Sequence, residues 1–414
     1  MGVKSMKTEQ LIDLVSKRLE DLGYNKRYVW GSSYSAMRSI QKYHRQCGTF
    51  YYDPSITAEF MKISAERYAN GEFRRAYWNF LRKAAERLDD FFLTGDLSWK
   101  RNSYKPPIHL CDEFASLLEQ FMNSRLFHEN TRCDFVWVLR KYLLYLQEHG
   151  FQSFSDISLN DVRLFMLDTS QKVSLGSLSN IQCYIRKFHI FLAEQEIPAP
   201  DCIGLLSYRI PRDVHVKNYV TDEEFEKILQ QIDTDTSLGK RDMAIILLGA
   251  TTGLRAIDIV HLELSDINWR TGEIHIIQSK TQGHIYLPLV KCVGDALMDY
   301  ILNSRPESNS SKIFLRSQAP FTGLESAATV GYMFNRYLKK AGIQRCPFDG
   351  KTFHGFRRRI GHNLLHSGVP LTTISQILGH RTLSATEQYL SLDSDILKKC
   401  ALDLKNIEPR RKES

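Results

Sequence analysis

Two proline-bearing stretches, SWKRNSYKPPIHL at 98–110 and EIPAPDCIGLLSYRIPRDVHVKN at 196–218, constrain this chain more than any other feature. Proline lacks the amide hydrogen that a helix interior or a central strand uses, so regular structure is interrupted at both. They read as linkers and divide the 414 residues into pieces of roughly 100, 90 and 200. That length exceeds one core, because single domains typically run to about 100–200 residues.

The first two pieces carry helical periodicity. In the first, Leu11, Val15, Leu19 and Leu22 form one apolar stripe, and Phe73, Tyr77, Leu81, Leu88 and Phe91 another. In the second, the spacing predicts a helix opening at Asn130 or Thr131 and closing before Gly150. Its inner face holds Phe135, Val138, Leu139 and Tyr142, with Arg132, Arg140 and Lys141 elsewhere. SLSNIQCYIRKFHIFLAEQ at 177–195 predicts another helix, with Ile181, Ile185, Phe188 and Leu192 inward and Arg186 and Lys187 outward. Segments 19–44 and 121–146 share a helix, a polar break and a longer aromatic-rich helix. Either the first piece repeats the design of the second, or any two amphipathic hairpins would look this similar.

The third piece opens with Thr221 and Glu224, a capping box that starts a helix. KRDMAIILLGATTGLRAIDIVHL predicts a buried helix broken at Gly253, and GEIHIIQSKTQGHIYLPL alternates around Ile274, Ile276 and a KTQG turn, which signals a hairpin. From residue 326 the pattern is helical again. The expected fold is mainly α with a small antiparallel β-sheet confined to the third piece.

Hydrophobic residues make up 43% and charged ones 25%, the balance of a folded globular chain. The longest apolar run, MAIILLGA at 243–250, falls short of the roughly 18 residues a membrane-spanning helix needs. MGVKSMKTEQ lacks the apolar core of a secretory signal, and Met6 stands where a myristoylation signal requires Ser or Thr. The expectation is a cytoplasmic protein with no membrane partner. Eight cysteines (47, 111, 133, 183, 202, 292, 346, 400) form no C-x-x-C pair, which predicts reduced, mostly buried thiols. A net charge of +8 with a pI near 8.9 favours a polyanionic partner.

Four local patterns in the third piece bear on chemistry. Arg255 lies just past the helix break in TTGLRAID, three residues before Asp258, and a structural ion pair suffices to explain the two. Lys280 stands at the hairpin tip, solvated or reaching into a partner's groove. In HGFRRR the buried side is Phe353, Phe356, Ile360 and Leu364, while His354, Arg357 and Arg358 share a neighbouring stripe, suited to solvent or to a phosphate. His362 and His366 have the spacing of zinc ligands in H-E-x-x-H, but Asn363 replaces the glutamate, so no metal is predicted. Last come His380 in LGH and Tyr389 in TEQYLSLD. A tyrosine hydroxyl, with a pKa of about 10, is a poor nucleophile unless neighbours favour its ionised form. Two arginines, a lysine and two histidines could do that.

Arg255 in TGLR, Lys280 on the hairpin, His354-x-x-Arg357, His380 in LGH and Tyr389 together resemble the active site of the tyrosine recombinase (phage-type integrase) family. The order agrees, as do the 23 residues from Arg357 to His380 and the nine from His380 to Tyr389. The resemblance covers the third piece, extends to the second as a helical core-site-binding domain, and scarcely touches the first. Phe356 and Arg358 depart from it, since the family often has Leu and His there.

The resemblance implies a catalytic domain at 219–414, a linker at 201–218, a core-site DNA-binding domain at 106–200 and a helical accessory domain at 1–105. It implies site-specific recombination through a 3′-phosphotyrosine and a Holliday junction, integrating or excising a mobile element. Tyr389 would be the nucleophile, Arg255 and Arg357 would clamp the phosphate, and Lys280 would protonate the leaving oxygen. His354 and His380 would donate hydrogen bonds, and Asp258 would orient Arg255. Arg132, Arg140, Lys141, Arg186 and Lys187 would contact DNA. No cofactor or metal is implied; the partners are double-stranded DNA, further copies of the chain in a tetramer, and a directionality factor. SDILKKCALDLK at 394–405 reads as an amphipathic helix that either folds back or docks on a neighbouring protomer. Two alternatives are a type IB topoisomerase, which shares this catalytic set, and a DNA-binding regulator on an inactive scaffold. The LGH spacing and the middle domain weigh against the first, and the six filled positions against the second.

Overall fold

The computed structural model describes residues 6–97, 110–127, 129–211, 218–280, 282–346 and 349–379. They divide into two compact units, one within Met1–Asn102 and Val216–Ser414 and the other within Ser103–His215.

The first unit begins with helices α1 (Thr8–Asp21), α2 (Tyr34–Gln46), α3 (Pro54–Ala69) and α4 (Arg75–Thr94). Local chemistry sets their ends: Asp53 caps α3 by accepting from the Ser55 amide at 2.8 Å, with Pro54 at the first helical position. Leu11, Val15 and Leu19 are buried as the periodicity predicts, and Leu22 is half-buried. The second predicted stripe needs correction. Leu81 and Leu88 are buried, but Phe73 precedes α4, Phe73 and Phe91 are half-buried, and Tyr77 is exposed. Ala84, Ala85 and Arg87 take the inner face, and Arg87 is tolerated there because it donates to Tyr28 Oη at 3.1 Å and Ser33 Oγ at 3.2 Å.

The same unit includes the chain from Val216 onward. In the second unit, α5 (Asp112–Ser124), α6 (Glu129–Glu148), α7 (Leu159–Ser170) and α8 (Leu175–Glu194) surround an aromatic core. Phe121 meets Phe188 edge to face with ring centres 5.3 Å apart. Phe135, Val138, Leu139 and Tyr142 on α6 and Ile181, Ile185, Phe188 and Leu192 on α8 are all buried, as predicted. The start of α6 falls at Glu129, just ahead of the predicted opening.

In the remainder, α9 (Asp222–Gln230) opens with the predicted capping box, Glu224 N donating to Thr221 Oγ1 and Thr221 N to Glu224 Oε2. Buried α10 (Ser237–Thr252) ends at Gly253, and short α11 (Ala256–Val260) follows. Strands β1 (Ile267–Asn268), β2 (Glu273–Ile277) and β3 (His284–Pro288) form an antiparallel sheet in the order β1-β2-β3. Pairing Ile274 with Leu287 and Ile276 with Ile285 puts all four on the inner face. Helices α12 (Lys291–Asn303), α13 (Ala327–Lys340), α14 (His354–His366) and α15 (Leu371–Leu378) complete the described chain. The α1 bundle meets this part where Gly23 faces Phe321: a Cβ on Gly23 would lie 3.0 Å from Phe321 Cε2.

The expectation of mostly buried cysteines is revised. Of the seven described cysteines only Cys202 is buried; Cys47, Cys133, Cys292 and Cys346 are exposed. Cys133 and Cys292 sit on outward helix faces, Cys47 follows the end of α2, and Cys346 lies in the loop beyond α13. Cys400 lies outside the described residues. No described helix is long and apolar enough to cross a membrane.

His189 in α8 is buried and its Nε2 shares a hydrogen bond with Tyr142 Oη at 3.0 Å, while its Nδ1 has no partner among the described residues. Burial pushes its pKa down to about 4. A depressed histidine pKa means that the unfolded chain takes up the proton first, so stability is present above about pH 6.5 and lost as pH falls toward 4. Urea unfolding of the second unit should lose about 3 kcal/mol between pH 7 and 4 from this group. His189→Gln, which can accept from Tyr142 without titrating, should flatten that part of the dependence.

Candidate active site

The turn after α10 delivers Arg255. Gly253 adopts φ +65°, a left-handed backbone that other residues resist, and it reverses the chain so that Arg255 begins α11. Thr252 Oγ1 braces the turn by accepting from the Leu254 amide at 3.2 Å. Arg255 Nη2 donates to Gly379 O at 3.4 Å, and Nη1 faces Asp258 Oδ2 at 3.9 Å, an ion pair too long for a hydrogen bond. Asp258 is fully buried, and its Oδ1 accepts from the Ser279 amide at 2.8 Å. One carboxylate thus faces Arg255 on one side and holds the Lys280 turn on the other.

Among the described residues from 218 onward, Arg255 Nη1 and Asp258 Oδ2 are the only buried side-chain polar atoms without a hydrogen-bond partner. Elsewhere in this part of the chain buried charge is fully met. Asp242 accepts from Arg241, from Arg336 Nη2 at 2.6 Å and from Tyr337 Oη at 3.0 Å.

Lys280 is exposed on the β2–β3 turn. That turn is closed by Gln278 N donating to Gly283 O at 2.9 Å and Gln282 N donating to Gln278 O at 2.8 Å. On α14, His354 is exposed at the helix start, whereas Arg357 and Arg358 are only 2% and 6% exposed. The sequence pattern placed these arginines beside the core; the fold puts them inside it. Arg357 Nη1 donates to Gly253 O at 3.1 Å and Nη2 to Leu378 O. Arg358, standing where the recombinase pattern often has His, donates to the carbonyls of Asn218 and Gly350, which makes it an anchor for the start of this part of the chain. Phe353 and Phe356 are buried, while Ile360 and Leu364 are half-buried against Ile374 and Leu378. His362 Nδ1 pairs with Tyr219 Oη at 2.9 Å.

Arg255, Asp258, the Lys280 turn and Arg357 are therefore gathered around the end of α15. The chain leaves that helix at Gly379, again left-handed at φ +61°, where a Cβ would lie 2.3 Å from Gln278 Oε1. His380 and Tyr389 lie outside the described residues, as does the 394–405 segment.

In the second unit, Arg132, Arg140, Lys141 and Lys187 are exposed and Arg186 is half-buried. Arg132 donates to Met122 O at 3.1 Å, closing the end of α5, so its position is partly structural. The Lys141 ammonium lies 5.5 Å from the centre of the Trp137 ring, and Lys187 5.7 Å from that of Phe135.

A profile of the phage integrase family matches residues 218–395. The integrase/recombinase y4gC of Sinorhizobium fredii is 38% identical over 173 residues, which cover 42% of this chain and 88% of that protein. The chain belongs to the phage integrase family of tyrosine recombinases. A second Sinorhizobium fredii member, named integrase/recombinase y4rA, is 38% identical over 180 residues, 44% of this chain, which spans only 43% of that relative's length. The crystal structure of a lambda integrase tetramer bound to a Holliday junction shares the family fold, with a TM-score of 0.52 at 20% identity over 77% of this chain and 87% of that one.

Two residues of this family member escaped the sequence reading. Trp137 is 60% exposed beside Lys141, and its signal was its phase, opposite the inward Phe135, Val138 and Leu139. Gln278 is fully buried; continuing the alternation of Ile274 and Ile276 by two residues points to it.

Removing the Asp258 carboxylate would strip the Ser279 amide of its acceptor and leave Arg255 as an uncompensated, largely buried cation. Asp258→Ala should destabilise the first unit by about 3 kcal/mol in urea unfolding. Asp258→Asn, which can still accept from Ser279, should cost less.

Proposed function

We propose that this chain is a site-specific recombinase that cuts and rejoins double-stranded DNA, integrating or excising a mobile element. The observation that carries the reading is the junction at Leu378–Gly379. Arginines from the start of α11 and from α14 and the turn bearing Lys280 meet on the segment that enters His380 and Tyr389, and among the described residues from 218 onward the Arg255–Asp258 pair there is the one left with unmet buried polar atoms. A buried guanidinium with an unmet donor is a place where an anionic oxygen gains binding energy.

In the proposed step the Tyr389 oxygen forms a bond to the scissile phosphorus and gives up its proton, with His354 and His380 on the proton path. The bond from phosphorus to the 5′ oxygen breaks, and that oxygen takes a proton from Lys280. Arg255 and Arg357 bind the non-bridging oxygens, for which the donor now resting on Leu378 O would be released. Asp258 orients Arg255. The 3′-phosphotyrosine keeps the energy of the phosphodiester, so rejoining to a new partner requires no nucleotide hydrolysis, and two such exchanges pass through a Holliday junction.

Residues 219–414 would form the catalytic domain, reached by a linker at 201–218 from a core-site DNA-binding domain at 106–200. There Arg140, Lys141, Arg186 and Lys187, with the outer part of Arg132, would grip phosphates, and Trp137 extends that surface. Residues 1–105 would be an accessory domain. The shared fold with a tetramer bound to a Holliday junction supports assembly of four copies on DNA.

Covalent capture tests the reading. Wild type and Tyr389→Phe are expressed in cells and denatured, and protein-linked DNA is sequenced; discrete sites joined through a 3′ phosphate in wild type alone are expected. Links scattered over many sites would instead favour a topoisomerase, and specific binding without any adduct a regulator. On the recovered site, Arg255→Ala should slow cleavage by about 10²–10³-fold while leaving DNA binding largely intact. A variant cleaving at the wild-type rate would remove Arg255 from the site.

A further inference from the structure

The inner face of β2 carries Ile274 and Ile276, and the next inward position, just past the strand, is Gln278. An amide among those neighbours is costly unless its groups are bonded, and Gln278 is fully buried. Its Nε2 donates to Leu378 O at 3.3 Å, while Oε1 lies so close to Gly379 that no side chain fits there. Its main chain makes both bonds that close the Lys280 turn, to Gly283 O and from Gln282 N. Leu378 O also accepts from Arg357, and Gly379 O from Arg255. Gln278 thus belongs to the Lys280 turn through its backbone and to the junction of the two arginines through its side chain.

We propose that Gln278 is a positioning residue that ties the Lys280 turn to the Leu378–Gly379 junction and so fixes the Lys280 ammonium relative to the phosphate held by Arg255 and Arg357. This rests on the recombinase reading above. Lys280 stands on an exposed turn with a long, rotatable side chain, so its aim depends on how the base of the turn is held. A displacement of about 1 Å in such a group can cost on the order of 10²-fold in rate. Asp258 on the Ser279 amide, His261 Nδ1 at 3.2 Å from Ser279 Oγ, and Gln278 on Leu378 O hold that base, and of these three contacts only that of Gln278 reaches the segment entering His380.

The inference separates from a merely structural role through the leaving group. With a bridging 5′ oxygen, the breaking bond leaves an alkoxide that needs the Lys280 proton. With sulfur in that position, the phosphorus–sulfur bond breaks and sulfur departs with the bonding pair as a stable thiolate, needing no proton.

Full-length wild type, Gln278→Leu, Gln278→Glu and Lys280→Ala would be compared in single-turnover cleavage of a nicked duplex. The duplex carries the site recovered by covalent capture, with oxygen or sulfur at the bridging position. Gln278→Leu should cleave the oxygen substrate about 10–100-fold more slowly than wild type with unchanged DNA affinity. Sulfur should return both it and Lys280→Ala to within about threefold of wild type. Gln278→Glu keeps the shape but sets an oxygen against Leu378 O; it should behave alike and serves where the leucine variant does not fold. An equal deficit on both substrates, or none on oxygen, overturns the proposal. Wild type that leaves the oxygen substrate uncut would instead sink the recombinase reading itself.

Discussion

Two main-chain carbonyls at the end of α15 tie together the part of this chain that follows residue 218. Leu378 O accepts from Arg357 and Gln278, and Gly379 O from Arg255. A guanidinium as buried as that of Arg357 survives only if its donors are met, and Gly253 O at the end of α10 meets another of them. Helices α10, α14 and α15 and the hairpin are thereby tied at one point. Both glycines at that point, Gly253 and Gly379, are left-handed, because helix ends must release carbonyls toward the arginines while the chain turns away.

Buried charge is used in two ways around this junction. At the start of α10, Arg241 donates to Leu315 O at 2.9 Å and Asp242 binds Arg241, Arg336 and Tyr337, so every oxygen has a partner and the network joins α10 to α13. Past the end of α10, the Arg255–Asp258 pair stays at 3.9 Å with one atom of each partner unmet among the described residues. The first arrangement supplies stability and orientation alone. The second leaves donor and acceptor capacity unused, the feature on which the proposed phosphate contact rests.

The helical second unit follows another logic. Its interior is built from aromatic rings at edge-to-face contact, which leaves the outer faces of α6 and α8 free to carry cations. The Lys141 and Lys187 ammonium groups each lie over a ring, Trp137 and Phe135, so cation–π attraction helps place the charge on these faces.

What the sequence by itself determined is whatever depends on neighbours a few residues apart. The Thr221–Glu224 capping box, the stop at Gly253, the inward stripes of α6 and α8 and the Ile274–Ile276 alternation follow from backbone hydrogen bonding and from periods of 3.6 and 2, and all were legible. Arg255, Asp258, Lys280 and Arg357 stood out because their types, order and spacing resemble the tyrosine recombinase pattern. Only the tertiary structure decided that Arg357 and Arg358 are interior, since their acceptors at Gly253, Leu378, Asn218 and Gly350 come from elsewhere in the chain. It likewise decided that residues up to 102 share a compact unit with those from 216 onward, and that Gln278 is buried against a carbonyl 100 positions away. Side-chain satisfaction over long sequence separations leaves no periodic trace, because it depends on which backbone groups the fold happens to bring within about 3 Å.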